Sequence, residues 1–274
     1  MSLISLIKSA FTTGDYYKSM NKALKAINGD YHMLHYPFYL NEDDTFSQAQ
    51  KNLIEYCISK IPNLEGKDVL DIGCGNGVVA IHIAEKYPVN LIVGVDLNAH
   101  NIQIANKQKR KKNIVNLKFL KDDAQNLAQL ESNSIDVIIN IESAFHYPNK
   151  DMFLKEVYRI LKPGGEFIIA DILTTADGNF LLRNWKKKMK YNHWSYSKYV
   201  NAFSELNLKL RNNEDISEKV IMGFKVYRKY FDEFNTENRF GILFLKLFFI
   251  VNIKLNIHLL EKRRKYYVFH GKKH

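Results

Sequence analysis

The chain predicts an α/β protein built on a doubly wound, mostly parallel sheet with helices on both faces. Three observations carry that expectation. Residues 67–77, KDVLDIGCGNG, place a short apolar run (Val69, Leu70, Ile72, with Asp71 inside it) before three glycines at alternate positions, Gly73, Gly75 and Gly77. Strand-like and helix-like stretches then alternate from 67 to 173, as βαβ units do. An acidic residue, Asp96, ends the second apolar run about twenty residues beyond the glycine turn, where doubly wound nucleotide sites hold a ribose.

The glycine stretch organises the rest. VVAIHIAEKY follows it as a helix, so a buried strand, a tight turn and a helix N-terminus come in the order that builds a nucleotide-shaped pocket. Glycine lets the backbone turn sharply and lets a ligand approach the main chain. The spacing is G-x-G-x-G. A pyrophosphate-binding fingerprint would put its third glycine at position 78, which is Val78.

Taken in order, 15–30 reads as a helix ending at Gly29, and the aromatic, His-rich stretch after it is broken by Pro37. Residues 45–61 form an amphipathic helix, with Phe46, Ala49, Leu53, Ile54, Cys57, Ile58 and Ile61 at helical spacing and Thr45 or Ser47 as cap. Strands are expected at 68–72, 91–96, 116–120, 135–141 and 166–171, with helices at 77–87, 99–110 and 150–161 between them. LKPGGEF (161–167) reads as a turn feeding the fifth strand. Beyond 173 the spacing gives a helix at 195–206, a strand at 208–216, a helix at 217–234 and a last strand at 266–271. Residues 239–265 are apolar all round at first and alternate later; helix is the favoured reading. The whole is a Rossmann-like, seven-stranded sheet with a helical N-terminal cap (1–66), a core (67–216), a helical insertion (217–265) before the last strand, and that strand with its tail (266–274).

Composition sets the class. The 274 residues are 46% hydrophobic and 25% charged, enough for a full core. Two cysteines, Cys57 and Cys74, make no disulfide framework and point to a reducing, cytoplasmic setting. The opening MSLISLIKSAFTT has no basic leader and is broken by Lys8, which argues against a secretory signal. Residues 174–274 hold 21 basic and 9 acidic side chains, a net of +12 against +11 for the chain. Such a basic third suits an anionic substrate, a membrane surface, nucleic acid or only a solvated face.

D-I-G-C-G-N-G (71–77) resembles the first motif of class I S-adenosylmethionine-dependent methyltransferases, and the resemblance implies that cofactor. Carried onto this chain, Gly73, Gly75 and Gly77 approach the ligand, Asp71 orients its ammonium group and Asp96 takes the ribose hydroxyls. Leu97 lies against the adenine. In KDDAQNL, Asp123 receives the exocyclic amine beside Ala124, with Asp122 competing for the role. Asn140 ends the fourth strand at the cofactor, and Gln48 reaches it from the cap. The stretch NIESAFHYPN (140–149) resembles the E-x-x-x-H-x-P arrangement of a small-molecule branch acting on sterols, tocopherols, phosphoethanolamine, sugars and mycobacterial lipid polyketides. Its last position, usually Asp, is here Asn149, a candidate helix cap.

That branch makes His146 the candidate general base or positioning residue. Glu142, four residues earlier, shares its side if the segment turns as a helix. Asp171, ending the fifth strand, is placed to help His146 or bind substrate. The cap residues Tyr31, His32, His35, Tyr36, Phe38 and Tyr39 are expected to close over the cofactor, and the apolar 217–265 insertion to wall a pocket for a small lipophilic acceptor. No metal ligands are assigned.

Methyl transfer to oxygen is the preferred expectation, ahead of C-methylation of an isoprenoid or polyketide and N-methylation of a phospho-base. Nucleic acid is disfavoured as substrate: the fourth strand ends N-I-E-S, without an Asn/Asp-Pro-Pro-aromatic motif, and no RNA module is visible. A non-enzymatic alternative is a membrane-surface or partner-binding protein retaining the fold. Residues 239–265 carry FGILFLKLFFIV and then KRRK, which would suit a bilayer interface. The apolar run is too short, and broken by Lys246, to span one.

Overall fold

The computed structural model describes residues 35–41, 43–175, 191–233 and 239–274, together with Tyr17, Lys18, Asn21 and Lys25. Those four are helical, in line with the first expected helix, whose other residues lie outside the described set, as do Tyr31 and His32.

The described elements run α1 (Phe46–Ile58), β1 (Asp68–Ile72), α2 (Val78–Lys86), β2 (Leu91–Asp96), α3 (Ala99–Lys111), β3 (Leu117–Lys121), β4 (Ile135–Ile141), α4 (Lys150–Ile160), β5 (Leu161–Thr174), α5 (Tyr196–Glu205), β6 (Leu208–Asp215), α6 (Ser217–Glu233), α7 (Arg239–Lys262) and β7 (Arg264–Lys273). Seven strands form one sheet in the order β3-β2-β1-β4-β5-β7-β6. β1 to β5 pair in parallel, and β7 enters antiparallel between β5 and β6. This is the Rossmann-like architecture expected from the sequence.

Alternation along the central strands builds two cores. Val69, Ile92, Val137, Ile139, Ile168, Ala170 and Tyr266 face one side, with Leu53 and Ile54 of α1, Ile81 of α2, Ala105 of α3, Val220 of α6 and Ile253 of α7. Leu70, Ile72, Val93, Ile138, Phe167 and Ile169 face the other, against Phe153, Leu154 and Val157 of α4 and Tyr199 and Phe203 of α5. Polar caps start the helices: Thr45 for α1, Asn98 for α3, Asn149 for α4 as the sequence indicated, and Ser195 for α5.

One local reading differs from the sequence expectation. The LKPGGEF turn is drawn into the start of β5: Leu161 pairs with Ile135, the register slips, and Glu166 then faces Val137. Pairing on either side of the turn residues, Leu161 with Ile135 and Glu166 with Val137 and Lys272, carries the strand across them. Residues 239–262 are helical, the reading favoured from sequence over the strand-like period of their second half, and Ile253, Leu259 and Leu260 bury on one helical face.

The strand order reverses between β1 and β4, which lie side by side while their chains lead to opposite halves of the sheet. Ligands bind at such a switch point, beyond the carboxyl ends of the strands.

Candidate active site

At that crevice Gly73, Gly75 and Gly77 all have positive φ (75°, 54° and 82°), a conformation costly for a residue with a Cβ. A Cβ on Gly73 would also collide with the Ser143 side chain at the end of β4. The turn is therefore held close to the neighbouring strand.

Two buried carboxyls, Asp71 and Glu142, and a partly buried one, Asp96, lie at the ends of β1, β4 and β2. Asp71 is buried with Oδ2 lacking a partner; burial, then the nearby Asp96, push its pKa up to about 7. Asp96 accepts from Gly75 N–H (3.0 Å) and Asn98 N–H (2.7 Å), and burial raises its pKa while these bonds oppose the shift. Glu142 lies past β4 with a φ of 51°. Its carboxylate accepts from Tyr36 N–H at 2.7 Å and sits beside the Tyr266 hydroxyl; burial pushes its pKa up to about 8. Like charges held in low dielectric disfavour their ionised forms. A positively charged ligand beside Asp71 and Asp96 would favour their ionised forms. Leu97 stands 65% exposed beside Asp96, available to a flat apolar ring. Asp123 takes Gln125 N–H at 2.9 Å, and Ala124 is buried against the core. Asn140 is fully buried and donates to Ile72 C=O (2.9 Å) and Ser143 Oγ (2.6 Å), bracing β4 to the turn.

His146 sits in a single helical turn, Ala144–His146. The longer helix that would have aligned Glu142 with His146 does not form, and no hydrogen bond joins the two among the described residues. Nε2 of His146 pairs with the Tyr17 hydroxyl at 2.7 Å, and Nδ1 is buried without a partner. The rings of Tyr17, Phe145 and Tyr191 surround the imidazole. Burial, with a smaller contribution from the Lys150 charge, pulls its pKa down to about 3, so it is neutral at physiological pH.

Two expected site residues are placed elsewhere. Asp171 is fully buried and bonds Lys150 Nζ (2.6 Å) and Tyr199 OH (2.5 Å). It shares the face of Phe167 and Ile169, and no hydrogen bond joins it to His146 among the described residues; a carboxylate with no exposure needs a charged partner. Gln48 is exposed, and its amide donates to Asn52 Oδ1 at 2.9 Å. The buried face of α1 runs through Ala49, Leu53, Ile54 and Cys57, which leaves Gln48 outside it.

Other participants were not anticipated. Asn21 links the N-terminal segment to the turn, accepting from Asn76 Nδ2 (2.8 Å) and donating to Asn101 Oδ1 (3.2 Å). Asn101 in turn donates to Asp96 at 3.4 Å. Tyr17 and Asn21 are four apart, the spacing of one helix face, which was the available signal. Lys150 also left a trace: a lysine in the first turn of a helix opposes the macrodipole.

A family model described as a methyltransferase domain matches residues 63–234. The chain belongs to that family, the class I S-adenosylmethionine-dependent methyltransferases. It is 40% identical over 132 residues to a fatty-acid O-methyltransferase of Mycolicibacterium smegmatis, covering 48% of this chain and 46% of that protein. Over 133 residues it is 35% identical to a phthiotriol/phenolphthiotriol dimycocerosates methyltransferase of Mycobacterium leprae, covering 48% and 47%. The matches thus span about half the length of these curated relatives. In fold it resembles the geranyl diphosphate C-methyltransferase of Streptomyces coelicolor, solved with S-adenosyl-L-homocysteine, at a TM-score of 0.76 and 14% identity over 96% of both chains.

Proposed function

We propose that this chain transfers the methyl group of S-adenosylmethionine to a small lipophilic acceptor, with oxygen the preferred atom. The observation that carries the reading is His146, neutral and ringed by aromatic side chains, with one nitrogen tied to Tyr17 and the other unpartnered. The relatives named for fatty-acid and phthiotriol methylation support the acceptor class.

The cofactor would rest on Gly73, Gly75 and Gly77, with Asp71 toward its ammonium, Asp96 toward its ribose, and Leu97, Asp123 and Ala124 about its adenine. When bound, it supplies an activated methyl on a sulfonium, so the protein's share is positioning, exclusion of water and a proton acceptor. In the tautomer whose Nε2–H donates to the Tyr17 oxygen, Nδ1 holds the free lone pair. That nitrogen would take the hydroxyl proton of an alcohol acceptor as its oxygen is methylated. An imidazole of such low basicity takes that proton only once the acceptor oxygen has begun to gain the methyl. Tyr17 is the positioning residue that holds the imidazole ring.

One observation favours a second reading, C-methylation. Glu142, aimed at Tyr36 and Tyr266 on the β7 side of the crevice, could stabilise a cationic intermediate of an isoprenoid.

The test begins with calorimetric titration of S-adenosylmethionine and S-adenosylhomocysteine into the wild type and Asp96→Ala, followed by labelled-methyl assays on fatty acids, long-chain alcohols and prenyl diphosphates. His146→Ala should keep the cofactor affinity and lose about 10²–10⁴ of the turnover on alcohol acceptors, whereas a fatty acid, ionised at neutral pH, brings no proton for His146 to take. Unchanged turnover would remove His146 from the chemistry, and methylation of prenyl carbon alone would favour the second reading.

A further inference from the structure

We infer that the outer face of α7, with the adjoining surface of α6, is a docking surface for anionic lipid bilayers, which would present the lipophilic acceptor of the proposed reaction to the site. The inference rests on that reading for the acceptor, but not for the docking.

The two sides of α7 differ. Ile253, Leu259 and Leu260 are buried, and Asn256 accepts a 2.7 Å hydrogen bond from the Tyr36 hydroxyl. Since Tyr36 N–H holds Glu142, the inner side of α7 is one residue removed from the acceptor end of the crevice. The outer side exposes Val251, Lys254, Leu255, His258, Glu261 and Lys262, positions three or four apart that fall on one helix face.

Large apolar residues are exposed there: Val251 at 56% and Leu255 at 40%, with Met222 of α6 at 55%. The segment before α1 packs on α6, where Gly223 lies against the Pro37 carbonyl and the Tyr39 ring. Leu40, next in that segment, is exposed as well. Half of the eight large apolar residues exposed among the described residues thus lie on α6, α7 and this segment.

Their setting is basic. Lys225, Lys254 and Lys262 are exposed and make no ion pair among the described residues, against the acidic Glu218 and Glu261, within a third of the chain whose net charge is +12. Apolar side chains flanked by lysines suit an anionic interface, where tails accept the former and headgroups the latter. No described helix is long and apolar enough to cross a membrane, so this face would lie on the bilayer.

The test is co-sedimentation of the full chain with sucrose-loaded vesicles of phosphatidylcholine, alone or with phosphatidylglycerol. Wild type should bind the anionic vesicles and release as salt rises. Val251→Asp/Leu255→Asp should abolish binding, and Lys254→Glu/Lys262→Glu weaken it roughly ten-fold or more. Both should keep wild-type affinity for S-adenosylhomocysteine, which shows that the site is folded. Failure of the wild type to sediment with anionic vesicles overturns the inference, as does unaltered sedimentation of the Asp variant. Loss of a dimer in that variant, without vesicle binding by the wild type, would reassign the face to a second copy. Sedimentation needs no acceptor, so a negative acceptor screen with intact vesicle binding would count against the proposed function alone.

Discussion

On the β1–β2–β3 side of the crevice, the site is shaped by groups close together in the chain. Gly73, Gly75 and Gly77 form one turn, and Asp96 reaches back to Gly75 across a single helix and strand. On the β4–β5–β7 side the partners of His146 and Glu142 are remote in sequence. Tyr17 meets His146 across 129 positions, Tyr36 meets Glu142 across 106 and Asn256 across 220. The first side is largely backbone and can hold a ligand common to a whole class. The second is made of side chains from remote segments, each replaceable without disturbing the sheet, which is how one fold comes to serve many acceptors.

The largest expected effect falls on the second side. Lys150, Asp171 and Tyr199 have essentially no exposure, and the Lys150 ammonium also lies over the Trp194 and Tyr199 rings at 5.8 and 4.9 Å from their centroids. Lys150→Met leaves Asp171 charged, buried and without its counter-ion, which costs roughly 3–5 kcal/mol. Urea unfolding should show that loss, and adding Asp171→Asn should recover part of it. A loss below about 1 kcal/mol would mean that the fold does not lean on this pair.

A smaller effect joins the two sides through pH. Asp71 and Glu142 have folded pKa values raised to about 7 and about 8, so the stability they allow when protonated is lost as pH rises through those values. His35 and His146 have theirs lowered to about 4 and about 3, so their contribution is lost as pH falls below the ordinary imidazole value. The two pairs oppose one another between about pH 4.5 and 6.5, and above that range only the carboxyls remain to titrate. The ligand-free melting temperature should therefore fall from about pH 6.5 to about pH 8. S-adenosylmethionine, by pairing its positive charges with ionised carboxylates, should offset the fall and release protons on binding. Calorimetry in buffers of different ionisation enthalpy measures that release. Proton-neutral binding near neutral pH would show that neither carboxyl senses the ligand.

The same division explains what could be read from the sequence. Gly73 to Gly77, Asp96 and the Asn149 cap were legible because each is fixed by a local rule of turn, strand end or helix start. His146 was legible only through its motif, and its partner Tyr17 was not, since no local rule links positions 17 and 146. Asp171 was misplaced because a strand-end carboxylate looks the same from sequence whether it faces the crevice or the opposite core. Its neighbours Ala170 and Ile172 pack in one core while Ile169 and Leu173 pack in the other, and that alternation settles the face of Asp171 only once the register of β5 is known.

Gln48 gives the smallest expected effect and the sharpest test of that division. A polar residue near the start of a helix that precedes the glycine turn looks suited to reach a cofactor. Yet helical phase places it outside the buried face of α1, and Thr45 and Asn52 take its hydrogen bonds. Gln48→Ala should change stability by no more than about 0.5 kcal/mol and leave S-adenosylhomocysteine affinity within error by calorimetry. A ten-fold loss of affinity would show that α1 shifts when the ligand enters, adding a second remote segment to the cofactor side beside Asn21.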